Sequence, residues 1–243
     1  MRALIVTAVA AEADSVVAGL TPHPDPATPD PRPLARGGYL VTRRDLPGLA
    51  VDVLVGGVGP AAAAAATATA LALADYTLVV CAGIGGGFAP AAPLGTLVVA
   101  DAVVAADLGA ETPDGYLSVD ALGFGRSAHL PPAELAARAA EATGALLAPV
   151  LTVSTVTGTA ARAAELAARH PLAGAEAMEG FGVAEAAAAH GLPVLEIRAV
   201  SNAVGPRDRA AWRIGDALAA LGDGFRALGP VLAHWGGQHE QHR

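Results

Sequence analysis

The sequence contains little charge, and most of what it has is acidic. Charged residues make up 16% of the 243 residues, with 15 Lys and Arg against 23 Asp and Glu, so the net charge is −8. The longest basic run is the pair Arg43-Arg44. Because a protein that binds a nucleic-acid backbone needs clusters of positive charge, this composition argues against such a partner.

Long apolar runs are missing as well, although 53% of the residues are hydrophobic. No run reaches the roughly 20 residues of a membrane-spanning helix. Much of the apolar content is alanine, which favours helices and adds little bulk. The sequence therefore predicts a soluble protein with alanine-rich helices and no membrane partner.

The motifs of several enzyme classes are absent. Cys81 is the only cysteine, so no intramolecular disulfide can form, which fits a reducing cytosol. No group of His and Cys residues has the spacing of metal ligands. The sequence also lacks the G-x-S-x-G elbow of many serine hydrolases and the G-x-x-x-x-G-K-[ST] phosphate loop.

The N-terminus superficially resembles a signal peptide, because Arg2 precedes an apolar run over residues 3–10. That run is short, only one charge precedes it, and Glu12 and Asp14 follow directly. We interpret it as a buried first strand and expect the chain to be unprocessed and cytoplasmic.

Short β-rich apolar runs alternate with alanine-rich stretches, which predicts a sheet covered by helices. The runs are almost continuously apolar, as is typical of parallel or mixed sheets buried on both faces. No change of composition divides the chain, so we expect one domain over residues 1–243. Expected strands are 3–9, 40–43, 51–55, 78–81, 97–104, 150–154 and 194–201, and expected helices are 10–20, 60–73, 132–143, 159–170, 179–190 and 210–228.

Three segments are predicted to lie outside this framework. Residues 21–38 are rich in proline and are expected to form an extended surface loop. Residues 109–127 contain glycine and are long enough to cover a site or reach a neighbouring subunit. Residues 234–243 are predicted to be a frayed tail.

Two glycine clusters each follow a predicted strand. Residues 56–60, Gly-Gly-Val-Gly-Pro, also open a helix, where free N–H groups can bind an anion or a hydroxyl group. Residues 83–87, Gly-Ile-Gly-Gly-Gly, follow the next strand. Each cluster alone is explained equally well by a tight turn, but together they suggest a planar ligand lying close to backbone.

Two acids near helix starts are candidates for chemistry. Glu12 follows the first strand and is either a general acid/base or a carboxylate that stabilises the helix N-terminus. Glu179 has the same two interpretations, but Met178 before it and Gly-Phe-Gly after it predict a desolvated carboxylate that can bind hydroxyl groups. Glu176 is interpreted as an ordinary surface charge.

Asn202 ends the last predicted strand and either caps a turn or binds a base edge. Its amide can donate to a purine N7 and to an oxygen at C6, or donate to N7 and accept from an amine at C6. Both alternatives are open on the residue type alone.

The order of these motifs resembles the purine nucleosidase and nucleoside phosphorylase superfamily over roughly residues 1–230. The motifs that carry the resemblance are Glu12, Gly57-Val-Gly59, the glycine cluster 83–87, Met178-Glu179 and the strand end 198–202.

Within that superfamily, residues 154–159, 176–184 and 201–209 resemble the futalosine hydrolases. The resemblance implies hydrolysis of the N-glycosidic bond of futalosine to hypoxanthine and dehypoxanthine futalosine, in the alternative menaquinone pathway. It also implies a three-layer α/β/α fold with a central mixed, mostly parallel sheet. It further implies no cofactor or metal, and a homo-oligomer that binds a small nucleoside.

The resemblance also implies roles for particular residues. Glu12 would activate the attacking water, and Glu179 would hold ribose hydroxyl groups with Met178 packed beside them. Asn202 stands where related adenine-specific nucleosidases have an Asp that assists departure of the base. The change from Asp to Asn202 favours hypoxanthine over adenine. An amide can hydrogen-bond N7 but is a poor proton donor, so the group that protonates the departing base is left open.

The second glycine cluster contains a further departure from those relatives. Its residues Gly83, Ile84 and Gly85 would contact the substrate, but Ile84 stands where the adenine-specific enzymes carry Ser. No arginine follows the first strand, and Cys81-Ala82 precede the cluster where phosphorylases place an arginine for phosphate. Water is therefore the expected nucleophile.

Three alternatives to a futalosine hydrolase stay open. One is a 5′-methylthioadenosine/S-adenosylhomocysteine nucleosidase, the second is a purine nucleoside phosphorylase, and the third is a nucleoside-binding protein without activity. Futalosine also carries a benzoate-type carboxylate, which needs a cationic or N–H partner. Arg207, Arg209 and Arg213 are candidates for it, and a solvated cluster at a helix start explains them equally well.

Overall fold

The computed structural model describes residues 1–20 and 31–240, and the side chains of these residues up to Trp235. The strands are β1 Arg2–Thr7, β2 Arg32–Pro33, β3 Leu40–Leu46, β4 Leu49–Val55, β5 Leu78–Gly87, β6 Leu97–Ala105, β7 Gly109–Thr112, β8 Gly115–Ser118, β9 Ala128–His129, β10 Leu146–Thr152, β11 Ala175–Ala177 and β12 Val194–Ala203. The helices are α1 Ala10–Leu20, α2 Pro60–Leu73, α3 Ala133–Thr143, α4 Ala160–Arg169, α5 Gly180–Ala189 and α6 Ile214–Glu240, with a short 3-10 turn at Arg209–Ala211.

A ten-stranded mixed sheet forms the centre of the molecule, in the order β11-β10-β6-β12-β5-β1-β4-β3-β2, with β9 paired to β6. Strand β1 is parallel to β4 and to β5, and β5 is parallel to β12. The pair β12 and β6 is antiparallel. The predicted fold class, α/β with a mixed and mostly parallel central sheet, is confirmed.

Helices cover both faces of this sheet, because successive strand residues point to opposite sides. On β1, Ile5 packs in a core that includes α1, α3 and α6 residues such as Phe225. Leu4 and Val6 pack on the other face with α2 and α5 residues such as Val183. The molecule therefore has three layers, and the carboxyl ends of the parallel strands meet at one edge.

The glycine cluster 83–87 is expected to follow a strand that ends at Cys81, and this is wrong. It is the second half of β5, because β12 pairs with β5 as far as Ala203 opposite Gly87. Close packing explains the glycines: a Cβ on Gly85 would lie 2.7 Å from the Glu176 carbonyl oxygen. Strand pairing is a long-range property that the local glycine signal does not report.

The segment 109–127 is also more ordered than predicted, because β7 and β8 form a hairpin within it. The first part of the predicted loop 21–38 lies outside the described residues, and Arg32–Pro33 pairs with β3. Helix α6 continues to Glu240, and residues 241–243 of the predicted tail lie outside the described residues. No helix within residues 1–20 and 31–240 is both long and apolar enough for a bilayer crossing.

Candidate active site

A cavity of about 420 Å³ lies at the edge where β1, β5 and β12 end. Of the residues predicted to be catalytic or to bind the nucleoside, all except Gly83 line it, namely Glu12, Ile84, Gly85, Met178, Glu179 and Asn202. Gly83 is buried below the cavity beside Glu12. No described residue of the segment 109–127 lines this cavity, so that segment does not cover it within this chain.

Glu12 is buried in the first turn of α1, and backbone amides hold both of its oxygens. Oε2 accepts hydrogen bonds from the N–H groups of Ala8 at 3.0 Å and Val9 at 3.3 Å, and Oε1 accepts from that of Ile84 at 2.9 Å. Burial raises the pKa of Glu12 above its ordinary value of 4.5, although the Arg198 charge and these amides oppose the shift. The carboxylate is thus fixed in place and more basic than a solvated one.

Glu179 is buried just before α5 and is held from two directions. Its Oε1 accepts a hydrogen bond from the Gly59 N–H at 3.2 Å, and its Oε2 lies 3.1 Å from Nη1 of Arg198. Gly59 has a φ of 93°, a conformation that glycine adopts without steric cost. The first glycine cluster therefore supplies an N–H group to a carboxylate of the cavity.

Arg198 was not recognised from the sequence as a site residue, and it lies at the centre of the network below the cavity. Its side chain on β12 is only 1% exposed. Besides Glu179, it contacts Glu196, whose Oε1 accepts from Nε at 2.9 Å, and Cys81, whose sulfur is 3.0 Å from Nη2. Although burial disfavours the charge, these acidic neighbours hold the pKa of Arg198 well above its ordinary range.

Strand register explains how this network is assembled. Arg198 pairs with Gly83 and Glu196 pairs with Cys81, so these side chains share one face of the sheet. A Cβ on Gly83 would lie 2.5 Å from Glu12 Oε1 and 2.7 Å from Arg198 Nη1. The glycine therefore leaves the space that these two groups occupy. In the sequence, this charged cluster is indicated by Glu196 and Arg198, two opposite charges two residues apart in an otherwise apolar run.

Glu196 is fully buried, and its Oε2 has no hydrogen-bond partner among the described residues. Burial raises its pKa above the ordinary 4.5, while the Arg198 charge opposes the shift. The first residue of α5, Gly180, packs directly against this carboxyl group, which leaves no room for a side chain there. The carboxyl groups of Glu12, Glu179 and Glu196 thus all lie near the Arg198 guanidinium.

The interpretation of Glu176 as a surface charge is wrong. This residue is 5% exposed, lines the cavity, and accepts hydrogen bonds from the backbone N–H at 2.8 Å and the hydroxyl of Thr157. It thereby fixes the segment after β10 against the cavity. Its position on β11, a short strand paired with both β10 and β5, was not predicted from the sequence.

Asn202 is half-buried on β12, and its amide is held by neighbouring groups in the chain. Nδ2 donates to the Ala203 carbonyl at 3.0 Å, and Oδ1 accepts from the Ser201 hydroxyl at 2.9 Å. Met178 and Ile84 supply apolar surface in the same cavity. Among the residues that the structure describes, no three His, Cys, Asp or Glu side chains converge as a metal site.

The family model of the phosphorylase superfamily matches residues 2–223. One similar structure is a 5′-methylthioadenosine/S-adenosylhomocysteine nucleosidase from Colwellia psychrerythraea 34H, solved with adenine. It superposes with a TM-score of 0.78 at 24% sequence identity, over 95% of this chain and 96% of that one. The futalosine hydrolase of Helicobacter pylori strain 26695 also has a TM-score of 0.78, at 15% identity, over 95% and 97% of the two chains. These two likenesses concern the fold.

Sequence identity defines the family more narrowly. A futalosine hydrolase from Streptomyces coelicolor is 62% identical over 240 residues, which are 97% of this chain and 98% of that protein. The chain therefore belongs to the futalosine hydrolase family of the phosphorylase superfamily.

Proposed function

We propose that this protein hydrolyses the N-glycosidic bond of futalosine, releasing hypoxanthine and dehypoxanthine futalosine on the futalosine route to menaquinone. The observation that carries the proposal is the pair of buried carboxylates, Glu12 and Glu179, in the cavity of a chain 62% identical to a futalosine hydrolase. Carboxylates at a sugar are what glycosidic hydrolysis through an oxocarbenium-like transition state requires.

In this mechanism, Glu12 accepts a proton from the attacking water while the water oxygen bonds to C1′ of the ribosyl group. The raised pKa of Glu12 suits it to this role, since a general base works best with a pKa nearer the working pH. Backbone amides on both oxygens fix its direction. The bond between C1′ and the purine breaks, and the purine leaves with the bonding electrons.

Glu179 accepts hydrogen bonds from the ribose hydroxyl groups, with Met178 packed against the sugar. Its negative charge also favours the positive charge that develops on the ribosyl group. Arg198, which contacts Glu179 from below, holds that carboxylate in place. Arg198 is a positioning residue in this scheme, since it lies beneath the cavity and does not line it.

Asn202 binds the edge of the departing base. For this contact, its Nδ2 exchanges the present hydrogen bond to Ala203 for one to N7 of the purine. The hydrogen bond stabilises the electron pair that the base carries away, and the base is protonated after departure. The amide also suits the oxygen of hypoxanthine at C6 better than an ionised Asp would.

The test is incubation with futalosine, inosine and 5′-methylthioadenosine, each with and without phosphate, followed by chromatography of the released base. We expect hypoxanthine from futalosine at a rate that does not depend on phosphate. Adenine release from methylthioadenosine at a higher kcat/KM would support the nucleosidase alternative instead, whose fold this chain shares. Phosphate-dependent turnover would indicate a phosphorylase, and binding without release would indicate a silent binding protein.

We also propose a cytoplasmic homo-oligomer. Several large apolar side chains are strongly exposed on the single chain, including Phe124 at 81%, Leu130 at 77% and Leu172 at 76%. Exposed apolar side chains that form a contiguous patch are typical of surfaces that associate. Light scattering after size-exclusion chromatography tests the proposal, and a monomeric mass at micromolar concentration would contradict it.

A further inference from the structure

We infer that Arg207 and Trp212 form a binding subsite for a planar aromatic carboxylate at the rim of the cavity. The inference rests on the proposed function and concerns the part of the substrate beyond the base and the ribose. It assigns the recognition of that group to one of the three arginines that follow Asn202.

Arg207 is distinguished by position. It is the only cationic side chain among the described residues that line the cavity, whereas Arg209 and Arg213 do not line it. The backbone of Arg213 is held to β12, with its N–H donating to the Ser201 carbonyl at 2.8 Å. The charge that a ligand anion in the cavity would meet is therefore that of Arg207.

Arg207 is also free to accept an external anion. The negative side chains of the cavity already have partners: Glu12 and Glu179 have backbone amides and Arg198, and Glu176 has Thr157. No carboxylate in the described part of the chain lies within ion-pair distance of Arg207, which is exposed at the rim. A guanidinium in this state offers its planar donor fork to a carboxylate, which it binds through two parallel hydrogen bonds.

Trp212 supplies the matching aromatic surface. The Arg207 guanidinium lies over its ring, 5.1 Å from the centroid, and both side chains line the cavity. Stacking of this kind orients the guanidinium, and the partly exposed indole adds aromatic surface to the cavity wall, on which a second ring can pack. Pro206, Val156 and Ile214 add apolar surface to the same part of the cavity wall.

The backbone holds this pair in place. Val204 N–H donates to the Gly87 carbonyl at 2.9 Å before the pair, and Trp212 N–H donates to the Arg209 carbonyl at 3.3 Å across the 3-10 turn. The Asp208 side chain caps that turn by accepting from the Ala210 N–H. The aliphatic part of Arg207 packs over Gly158, since a Cβ there would lie 3.5 Å from its Cγ and Cδ.

The chemistry of the pair defines the ligand class. A cation that binds in a planar, two-pronged manner beside an indole ring suits an aromatic ring bearing a carboxylate better than a neutral thioalkyl group. The benzoate-type end of futalosine has this chemistry. We therefore expect the pair to discriminate futalosine from nucleosides without an anionic aromatic group.

The decisive experiment compares futalosine with its methyl ester, which keeps the base, the ribose and the ring but removes the negative charge. In the wild-type protein we expect kcat/KM for the ester to be about 10- to 100-fold lower, as the loss of a charge-assisted hydrogen-bond pair implies. In Arg207→Met, which keeps an aliphatic stem, kcat/KM for futalosine should fall to the level of the ester, mainly through KM. Arg207→Lys should lie between the two.

Arg209→Met is the matched control, because Arg209 also lies over Trp212, at 5.9 Å, but does not line the cavity. It should keep the wild-type preference for the free acid. The inference is overturned if Arg207→Met lowers kcat/KM equally for futalosine and for its methyl ester. It is also overturned if Arg209→Met abolishes the preference for futalosine over the ester.

Binding is measured separately from turnover, through the fluorescence of Trp212 in a Trp235→Phe background. If the protein releases no base from futalosine but Arg207-dependent quenching persists, the proposed function fails while the subsite stands. If turnover is normal and neither quenching nor kcat/KM depends on Arg207, the subsite fails while the proposed function stands. If the wild-type protein neither turns over nor binds futalosine, both fail.

Discussion

Glu12 shows how the surroundings of one side chain decide its chemistry. Its burial favours the protonated acid, whereas backbone amides and the nearby Arg198 favour the carboxylate. Burial is the largest of these influences, so the pKa lies above the ordinary 4.5. The group is thus a stronger base than a surface glutamate, and a higher pH is needed to ionise it.

Replacing Glu12 with Gln should lower kcat for futalosine hydrolysis by about 10²-fold or more, because the amide cannot accept the water proton. In the wild-type protein, kcat/KM should fall as the pH is lowered through the pKa of Glu12, at a pH above 4.5, since activity requires the ionised form. Initial rates of hypoxanthine release across the acid range measure both effects.

Glu134→Gln, on the exposed side of α3, serves as the control for this substitution. It should keep both the rate and the acid limb of the pH profile. A Glu12→Gln protein with an unchanged kcat would remove Glu12 from the mechanism.

Strand β5 forms part of the cavity wall. Its glycines also make space for charged groups of other elements. Arg198 on β12 and Glu12 on α1 occupy the volume above Gly83. The strand pairs with β1, β12 and β11, so several neighbouring elements converge on this stretch of backbone. A side chain added here cannot be accommodated by moving a flexible surface group.

Gly83→Ala should therefore lower kcat at least about 10-fold, because the new Cβ displaces Glu12 and Arg198 from their positions, and misplacement of catalytic groups by about 1 Å is costly. Gly215→Ala is the matched control, since nothing lies within 4 Å of a Cβ at that position on α6. The expected result is a lower kcat for the first variant alone. Equal kcat values for both variants would contradict the described packing.

A second buried charge cluster joins elements away from the cavity. Asp52 on β4 accepts hydrogen bonds from Arg2 on β1, from Arg43 on β3 at 2.9 Å, and from the Tyr76 hydroxyl at 2.7 Å. Burial alone would raise the pKa of Asp52, but these hydrogen bonds outweigh it and hold the pKa below the ordinary 3.8. The cluster thereby ties three neighbouring strands together.

Asp52→Asn should destabilise the protein by about 1–2 kcal/mol, because it leaves two partly exposed arginines without their buried partner. This corresponds to a Tm lower by about 3–8 °C. Since the folded pKa is lowered, the stabilisation is present above pH 3.8 and is lost as the pH falls through the folded pKa. The Tm difference from the wild-type protein should therefore shrink at the acid end.

Asp45→Asn provides the comparison, as Asp45 lies on the same strand as Arg43 but is exposed. Thermal unfolding of both variants from pH 3 to pH 8 makes the measurement. A pH-independent Tm gap for Asp52→Asn would contradict the assigned role of the carboxylate.

One sheet connects the molecule, since its two larger hydrophobic cores use residues of the same strands. Ile5 and Val80 point to the core with α1 and α6, while Leu4 and Val79 point to the core with α2 and α5. Neither core can lose its packing without exposing the sheet that supports the other. This arrangement supports the proposal of one domain over the chain.

Calorimetry should accordingly show a single unfolding transition, with equal van't Hoff and calorimetric enthalpies per cooperative unit. Hypoxanthine, which the proposed site would bind, should raise the temperature of that entire transition. Two separate transitions, or a shift confined to part of the heat signal, would contradict a single domain.

The elements of this fold could largely be predicted from sequence, because their signals are local. The expected helices 10–20 and 60–73 have the observed bounds of α1 and α2. Apolar runs, alanine-rich stretches and glycine turns act within a few residues of where they occur. The same signals directed attention to Glu12, Glu179 and Asn202, and the structure brings these three together at one cavity.

Only the tertiary structure decided which distant groups meet. The extension of β5 through its glycines, the burial of Glu176 and the central position of Arg198 depend on β11 and β12 lying beside β5. Likewise, the sequence does not distinguish Arg207 from Arg209 and Arg213, and the folded chain places only the first of them at the cavity. Sequence by itself determined the residue types and the elements of this protein, while long-range strand pairing set their contacts and the burial that shifts their pKa values.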